Sequence, residues 1–156
     1  ISKWNTRNVR SMEGMFENSL FNGDIGDWDV SGVEIFSSMF EDSSFNSDIS
    51  KWNTIGAIRM DCMFRRSLFN QPIGDWNVEN VRDISNMFFE SEFNRDISDW
   101  DIRSLKKWQE NIFLGSRFNK NIWKWKMKRP DLKLEKLIDP ILLYNFANKW
   151  IEYGSK

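Results

Sequence analysis

Two groups of closely spaced aspartates are the residues of this sequence with the clearest potential for chemistry. Asp24, Asp27 and Asp29 lie within six residues, and aspartates at positions 96, 99 and 101 repeat that spacing. Carboxylates at this density are typical of calcium sites. In the intervening segments, however, Lys51 and Pro72 stand where the other segments carry an acid. The interrupted pattern therefore favours aspartates that cap turns, and it predicts no metal site.

The side chains needed for most nucleophilic and redox chemistry are missing. The sequence has no histidine and a single cysteine, Cys62, which excludes Ser–His and Cys–His nucleophiles, histidine zinc sites and Cys-x-x-Cys motifs. A glycosidase needs one singular pair of carboxyl groups with different pKa values, whereas most acids here recur in repeating positions. The sequence thus predicts a protein that is not an enzyme and that holds no cofactor.

A basic stretch from Lys120 to Lys136 is interleaved with Trp123 and Trp125, a pattern that nucleic-acid-binding proteins also show. The charge of the whole chain argues against that function. Residues 1–102 contain 9 Lys and Arg against 18 Asp and Glu, and residues 103–156 contain 13 against 5. An acidic half would steer a polyanion away, so the pattern favours an acidic protein face, or self-association of basic and acidic ends.

A repeat of 24 residues positions all of these side chains. Columns of Met-Phe, Phe-Asn, serine and isoleucine keep the same spacing as a tryptophan column. A period of this length indicates units that bury their apolar sides only by stacking on one another. The tryptophan column contains Trp4, Trp28, Trp52, Trp76 and Trp100, and Trp125 follows after one extra residue.

The residue spacing within one repeat predicts two short elements. The apolar residues between Val9 and Phe16 have helical spacing, which predicts a helical arc. Phe21, Gly23 and Ile25 alternate with polar residues, as in a strand. We therefore expect an α/β repeat, a solenoid of coils about 24 residues long in which each coil has one short parallel strand and one helical arc.

Individual columns carry further expectations. The regularity of the tryptophan column predicts core positions such as Trp52, whereas we expect Arg65 to be solvated. The asparagine after each Phe should bond to its equivalent, or to loop backbone, from coil to coil. Cys62 aligns with Gly14 and Ser38, which indicates a tolerant position with no function of its own.

The repeat resembles that of the BspA-like surface proteins, in the variant first catalogued as a mycoplasma-type domain of unknown function. Phe45 to Thr54 and Val9 to Phe16 carry the likeness, which extends from Ile1 to about Trp125. The resemblance implies a leucine-rich-repeat-like fold and display on a cell surface, but no ligand. Similar repeats occur in large viruses and protists, so virion-associated and intracellular settings stay open.

No apolar run approaches the ~20 residues of a membrane span.

The two ends of the chain differ in pattern. Residues 1–129 form the predicted solenoid of about five coils, and residues 130–156 the predicted helical cap, with Asp139-Pro140 as its start and an apolar stripe from Leu143 to Ile151. The first coil begins in the middle of the motif. We therefore expect an exposed apolar N-terminal face that further repeats, a cap or a partner chain covers.

These patterns predict a non-catalytic scaffold for protein–protein interaction or for surface or structural assembly. Positions that vary while the scaffold repeats should form the recognition surface. A glycan-binding adhesin is the alternative, with Phe89, Trp108 and Trp123 as its exposed aromatic candidates. The variable positions are Arg7, Ile55, Glu79 and Arg103 in one column and Arg10, Glu34, Ile58, Arg82 and Lys106 in another, and the basic candidates are Lys124, Lys126, Lys128 and Arg129.

Overall fold

The chain forms coils that stack in register. The computed structural model describes residues 1–106, 109–133, 136–138, 140 and 144. Isolated parallel bridges join Ser11 to Ile35, Ile35 to Arg59 and Arg59 to Asp83, one residue in each coil. The α-helix α1 spans Trp123–Lys128. We number the coils one to five by their tryptophans, Trp4, Trp28, Trp52, Trp76 and Trp100.

The predicted α/β solenoid is wrong, because turns and isolated bridges replace both expected elements throughout residues 1–106. In the expected helical arc, the Met15 amide donates to the Met12 carbonyl at 3.2 Å, but the Phe16 amide donates to Met39 of the next coil at 2.9 Å. An α-helix would send every amide four residues back in its own chain. Here every second amide donates its hydrogen bond to a carbonyl of the neighbouring coil, so this segment does not form a helix.

This alternation needs a left-handed backbone at two places in each coil. Gly14 has φ 62° and Asn18 has φ 55° in coil one. Glycine, asparagine and aspartate enter this region at least cost, and other residues adopt it with strain. Cys62 shares the Gly14 position, so this column is constrained by the backbone and is not the tolerant position expected. The other residues with positive φ are Ser38, Asp42, Cys62, Arg66, Asn86, Glu90, Asn111 and Gly115.

Side-chain amides replace the expected strand. The backbone amide of Asn46 donates to the side-chain Oδ1 of Asn22 at 2.8 Å, and the backbone amide of Asn70 donates to Oδ1 of Asn46 at 2.8 Å. The series continues through Asn94 and Asn119 at 2.9 and 3.1 Å. The side-chain oxygen stands where a backbone carbonyl would accept in a parallel ladder. The coil-to-coil role of the asparagine column is confirmed, but its segment is no strand.

Stacked aromatic rings form the core between the coils. Trp52 is 3% exposed, and its indole Nε1 donates to the Ile25 carbonyl at 3.1 Å. The Phe40 and Phe64 ring centroids lie 5.6 Å apart with nearly parallel planes. The core assignment of the tryptophan column is therefore confirmed from coil two onward. In coil one, Trp4 is 55% exposed.

A buried glutamine, Gln109, compensates for the extra residue in coil five. In coils three and four, the Met60 amide donates to the backbone carbonyl of Asp83. One coil later, the Ile84 amide donates to the side-chain Oε1 of Gln109 at 2.8 Å instead. The Asn86 amide then returns to a backbone acceptor, Glu110. The side chain of Gln109 thus takes the place of a backbone carbonyl, and the register survives the insertion.

A C-terminal segment covers the end of the last coil. The Asn111 amide donates to the Lys136 carbonyl at 2.8 Å, and the Phe113 amide donates to Leu137 at 2.7 Å. This pairing uses Lys136 and Leu137, upstream of the predicted capping helix. Apart from Pro140 and Tyr144, that predicted helix lies outside the described residues. Of the helices in the part of the chain that the structure describes, none is long and apolar enough to cross a membrane.

Candidate interaction surface

Backbone hydrogen bonds align one column of variable residues across all five coils. The amide of Glu34 donates to Arg10 O, and each later member donates to the one before it, at 2.8–2.9 Å. Adjacent side chains are therefore ~4.8 Å apart, the spacing of neighbouring strands. This row brings together four predicted site residues, Arg10, Glu34, Arg82 and Lys106. We name the surface formed by Arg7, Arg10, Ser31, Glu34, Ile55, Ile58, Glu79, Arg82, Arg103 and Lys106 the variable face.

A groove of about 270 Å³ crosses the variable face beside coil three. Its walls include Ile55 and Ile58, and the Asn80 side-chain amide donates to the Ile55 carbonyl at 3.1 Å. Gly56 allows the coils to approach closely, since a Cβ there would lie 2.6 Å from the Ser31 carbonyl oxygen. The groove therefore has a fixed backbone floor. Its lining comprises Ile55, Gly56, Ile58, Asn80, Arg82 and Ser104.

Some cations of the variable face are held by the fold and others are not. Arg10 Nη1 donates to the Gly32 carbonyl at 3.0 Å, and Arg103 Nε donates to Asp101 Oδ1 at 2.8 Å. The hydrogen bond from Arg103 lowers the pKa of Asp101 to about 2. The side chains of Arg82 and Lys106 form no ion pair or hydrogen bond with any residue that the structure describes. These two adjacent cations are available to a ligand.

The basic candidates near the C-terminus bond to residues of coil five around Trp100. Lys124 Nζ lies 2.6 Å from Asp99 Oδ1, and this bond raises the pKa of Lys124. Lys128 Nζ donates to the carbonyls of Asp99 and Trp100, both at 2.9 Å. Arg129 Nη1 donates to Leu105 O at 2.6 Å. The Lys126 side chain lies outside the described residues, so the binding role of this stretch stays a prediction.

The aspartate column caps turns, as the sequence predicts. Asp48 Oδ1 accepts from the Ser50 amide at 2.8 Å, and this bond lowers the pKa of Asp48. Asp96 Oδ1 accepts from Ser98 at 2.9 Å, with the same effect on its pKa. Within the described ranges, no three acidic or cysteine side chains come together as a metal site would require.

The three aromatic candidates for a glycan site have different surroundings. The Arg65 guanidinium lies 5.5 Å from the centre of the Phe89 ring, so that ring already has a cation against it. Trp108 lies outside the described residues. Trp123 is partly buried and lines a groove of about 320 Å³ together with Asp96 and Asn121. Trp123 therefore borders a groove that also has polar walls.

Ion pairs between coils were missed by the sequence reasoning. Arg65 Nη1 lies 2.5 Å from Glu41 Oε1, and Arg66 Nε lies 2.8 Å from Asp42 Oδ1. The prediction that Arg65 is solvated is therefore wrong, because it bridges the coils before and after its own. Opposite charges exactly one repeat apart are the sequence signal that could have identified both pairs.

The family match covers nearly all of the described chain. The family described as "Mycoplasma protein of unknown function, DUF285" matches residues 1–91 and again residues 58–136. No curated protein and no solved structure shows significant similarity to the chain. The two overlapping matches span the repeats whose stacking is described above. The chain therefore belongs to the DUF285 family.

Proposed function

We propose that this protein is a non-catalytic interaction module that binds a protein partner through the variable face. One observation carries the proposal: four exposed charged side chains and the half-buried Ile58 lie in one row above a constant core. The residues directly before three members of the row are fully buried: Val33, Ala57 and Val81. The buried residues form the scaffold, and the residues of the row are left for recognition. Surface positions whose residues differ from coil to coil are free to specify a partner without disturbing the stack.

The groove supplies the anchor that such a surface needs. Protein interfaces concentrate their binding energy in a few side chains that fill desolvated pockets, surrounded by a polar rim. Ile55 is 39% exposed and borders the groove with Ile58, and the lining also contains the charged Arg82 and the polar Asn80 and Ser104. This arrangement fits a partner with a protruding apolar side chain. The partner is either another protein or a second copy of this chain.

The resemblance to BspA-like proteins supports a cell surface as the setting of this interaction. The likeness of Phe45 to Thr54 and the DUF285 match are the basis for that part of the proposal. A virion-associated or intracellular module would use the variable face in the same way. Surface labelling of cells that express the full-length protein measures its location directly.

Selection of binders from a phage-displayed peptide library tests the use of the variable face. Ile58→Glu places a charge in the groove and should abolish binding of the selected peptides. Leu68→Glu, which changes a residue that is 54% exposed outside the variable face, should leave binding unchanged. Equal circular dichroism spectra establish that both variants are folded. Peptides that bind Ile58→Glu as well as the original chain would contradict the proposal.

A glycan-binding module is the second candidate, because Trp123 lines a groove together with polar groups. Sugar sites combine an apolar wall with a few placed polar side chains, and Asp96, Asn121 and Lys120 are in that lining. Trp123→Ala should remove binding on a glycan array, whereas Phe89→Ala should retain it. An array on which the original chain binds no glycan would eliminate this candidate.

A further inference from the structure

We infer that the variable face recognises an extended acidic peptide in which an apolar side chain precedes a carboxylate by two residues. This inference rests on the proposed function and specifies the chemistry of the partner. It combines the groove beside Ile58 with the adjacent unpaired cations of Arg82 and Lys106. Neither feature alone would select a ligand, but together they require apolar and anionic groups at a set distance.

The apolar part of the site is preformed. Ile55 and Ile58 line the groove, and Asn80 fixes the Ile55 carbonyl through a 3.1 Å hydrogen bond. Coils two and three approach closely at Gly56, where an added Cβ would lie 2.6 Å from the Ser31 carbonyl oxygen, so the backbone under the groove is closely packed. One aliphatic side chain of a ligand can therefore enter without rearrangement, which limits the entropic cost of binding.

Gln109, the buried glutamine near the inserted residue, bonds to the backbone of both cations in the site. Gln109 Nε2 donates to the carbonyls of Arg82 and Lys106, both at 3.3 Å. The Lys106 amide also donates to Arg82 O at 2.8 Å. Both cations thus project from a constrained backbone, and their side chains have no described partner to give up. A carboxylate would meet two positive charges at once, at little cost in lost contacts.

The flanking acids give the ligand a direction. Glu34 precedes Ile58 in the row, and no described residue bonds its carboxylate. A ligand acid placed toward Glu34 would be repelled, whereas one placed toward Lys106 would be attracted. Glu79 is on the same face near Arg103, whose pKa is raised chiefly by the hydrogen bond to Asp101 and its charge, and less by the charge of Glu79. The carboxylate of the peptide therefore points toward coil five.

The spacing of coils fixes the separation of the two ligand side chains. Arg82 lies one coil from Ile58 and Lys106 lies two coils away, at ~4.8 and ~10 Å along the stack. An extended peptide rises ~3.3 Å per residue, and residues two apart project from the same face. A carboxylate two residues beyond the apolar anchor thus falls between the two cations, at ~7 Å.

Fluorescence polarisation tests the inference with a labelled peptide in which one serine separates a leucine from a glutamate, flanked by glycine and serine. We expect saturable binding, which weakens about fivefold or more in the Arg82→Gln, Lys106→Gln double variant. The Lys3→Gln, Lys51→Gln double variant loses the same charge at two exposed positions elsewhere and should bind normally. Replacing the peptide glutamate with glutamine should weaken binding by a similar factor, and reversing the leucine–glutamate order should do the same.

The outcomes separate this inference from the proposed function. If library peptides bind in an Ile58-dependent way but carry basic or neutral residues in place of the acid, the acidic ligand is wrong and the interaction face stands. If the two double variants lose affinity equally, binding is general charge attraction and the inference fails. If no peptide depends on Ile58, both the face and the ligand are wrong.

Discussion

The amide nitrogen of Ile84 donates to the side-chain oxygen of Gln109 at 2.8 Å, in the place where earlier coils use a backbone carbonyl. The side-chain nitrogen of the same glutamine also donates to the backbone carbonyls of Arg82 and Lys106. One buried side chain therefore repairs the register after the inserted residue and fixes the backbone under two cations of the variable face. The irregular part of the repeat is thus connected to the proposed binding site.

Gln109→Ala should destabilise the fold by ~1–3 kcal/mol, because it leaves the buried Ile84 amide without an acceptor. Urea denaturation measures the change in the free energy of unfolding. Glu110→Ala changes the next residue, whose side chain is exposed, and serves as the matched control. Equal stabilities of the two variants would show that water or another group satisfies the Ile84 amide.

Trp52→Ala should destabilise the stack by ~3–5 kcal/mol, because it opens a cavity between coils. It also removes the donor to the Ile25 carbonyl. The control is Lys51→Ala, because the Lys51 side chain is exposed. Arg65 is unsuitable as a control, because its side chain forms an ion pair with Glu41. Thermal unfolding should show a large loss for the first variant and almost none for the second. Similar melting temperatures would contradict the core position of Trp52.

Cys62 should react slowly with a thiol reagent. Burial raises the pKa of its thiol from 9.0 to about 11, and the carboxylate of Glu41 adds to the shift. A raised pKa leaves less of the reactive thiolate, ~0.1% at pH 8 compared with ~10% for an unshifted thiol. We therefore expect reaction with DTNB to be about 100-fold slower than in urea-unfolded chain. Equal rates in both states would show an accessible thiolate.

Self-association should appear at low salt and weaken as salt is added. Residues 1–102 carry 18 acids against 9 bases, and residues 103–156 carry 13 bases against 5 acids. Contact between the two ends is therefore favourable until salt screens it. Light scattering over a salt series measures the effect. Association that persists or strengthens at high salt would instead identify the exposed apolar side chains of coil one, such as Trp4, as its cause.

The repeat, the aromatic core and the asparagine series could all be predicted from the sequence. A strict period places identical side chains above one another, so columns such as that of Trp52 must stack wherever the coils do. The same argument places Arg10, Glu34, Arg82 and Lys106 in one row, as the structure shows. The family resemblance to mycoplasma-type repeats also follows from these columns, and the DUF285 match agrees with it.

The acceptor that each backbone amide uses depends on the stacking of the coils and could not be predicted from local sequence. The spacing from Val9 to Phe16 suits a helix, yet these residues face the core equally well from successive turns that share hydrogen bonds with the next coil. That competition is settled by stacking at ~4.8 Å, which supplies an acceptor in the neighbouring coil to every second amide. The bond of Arg65 to Glu41 and the role of Gln109 depend on the same proximity, which local sequence patterns do not encode.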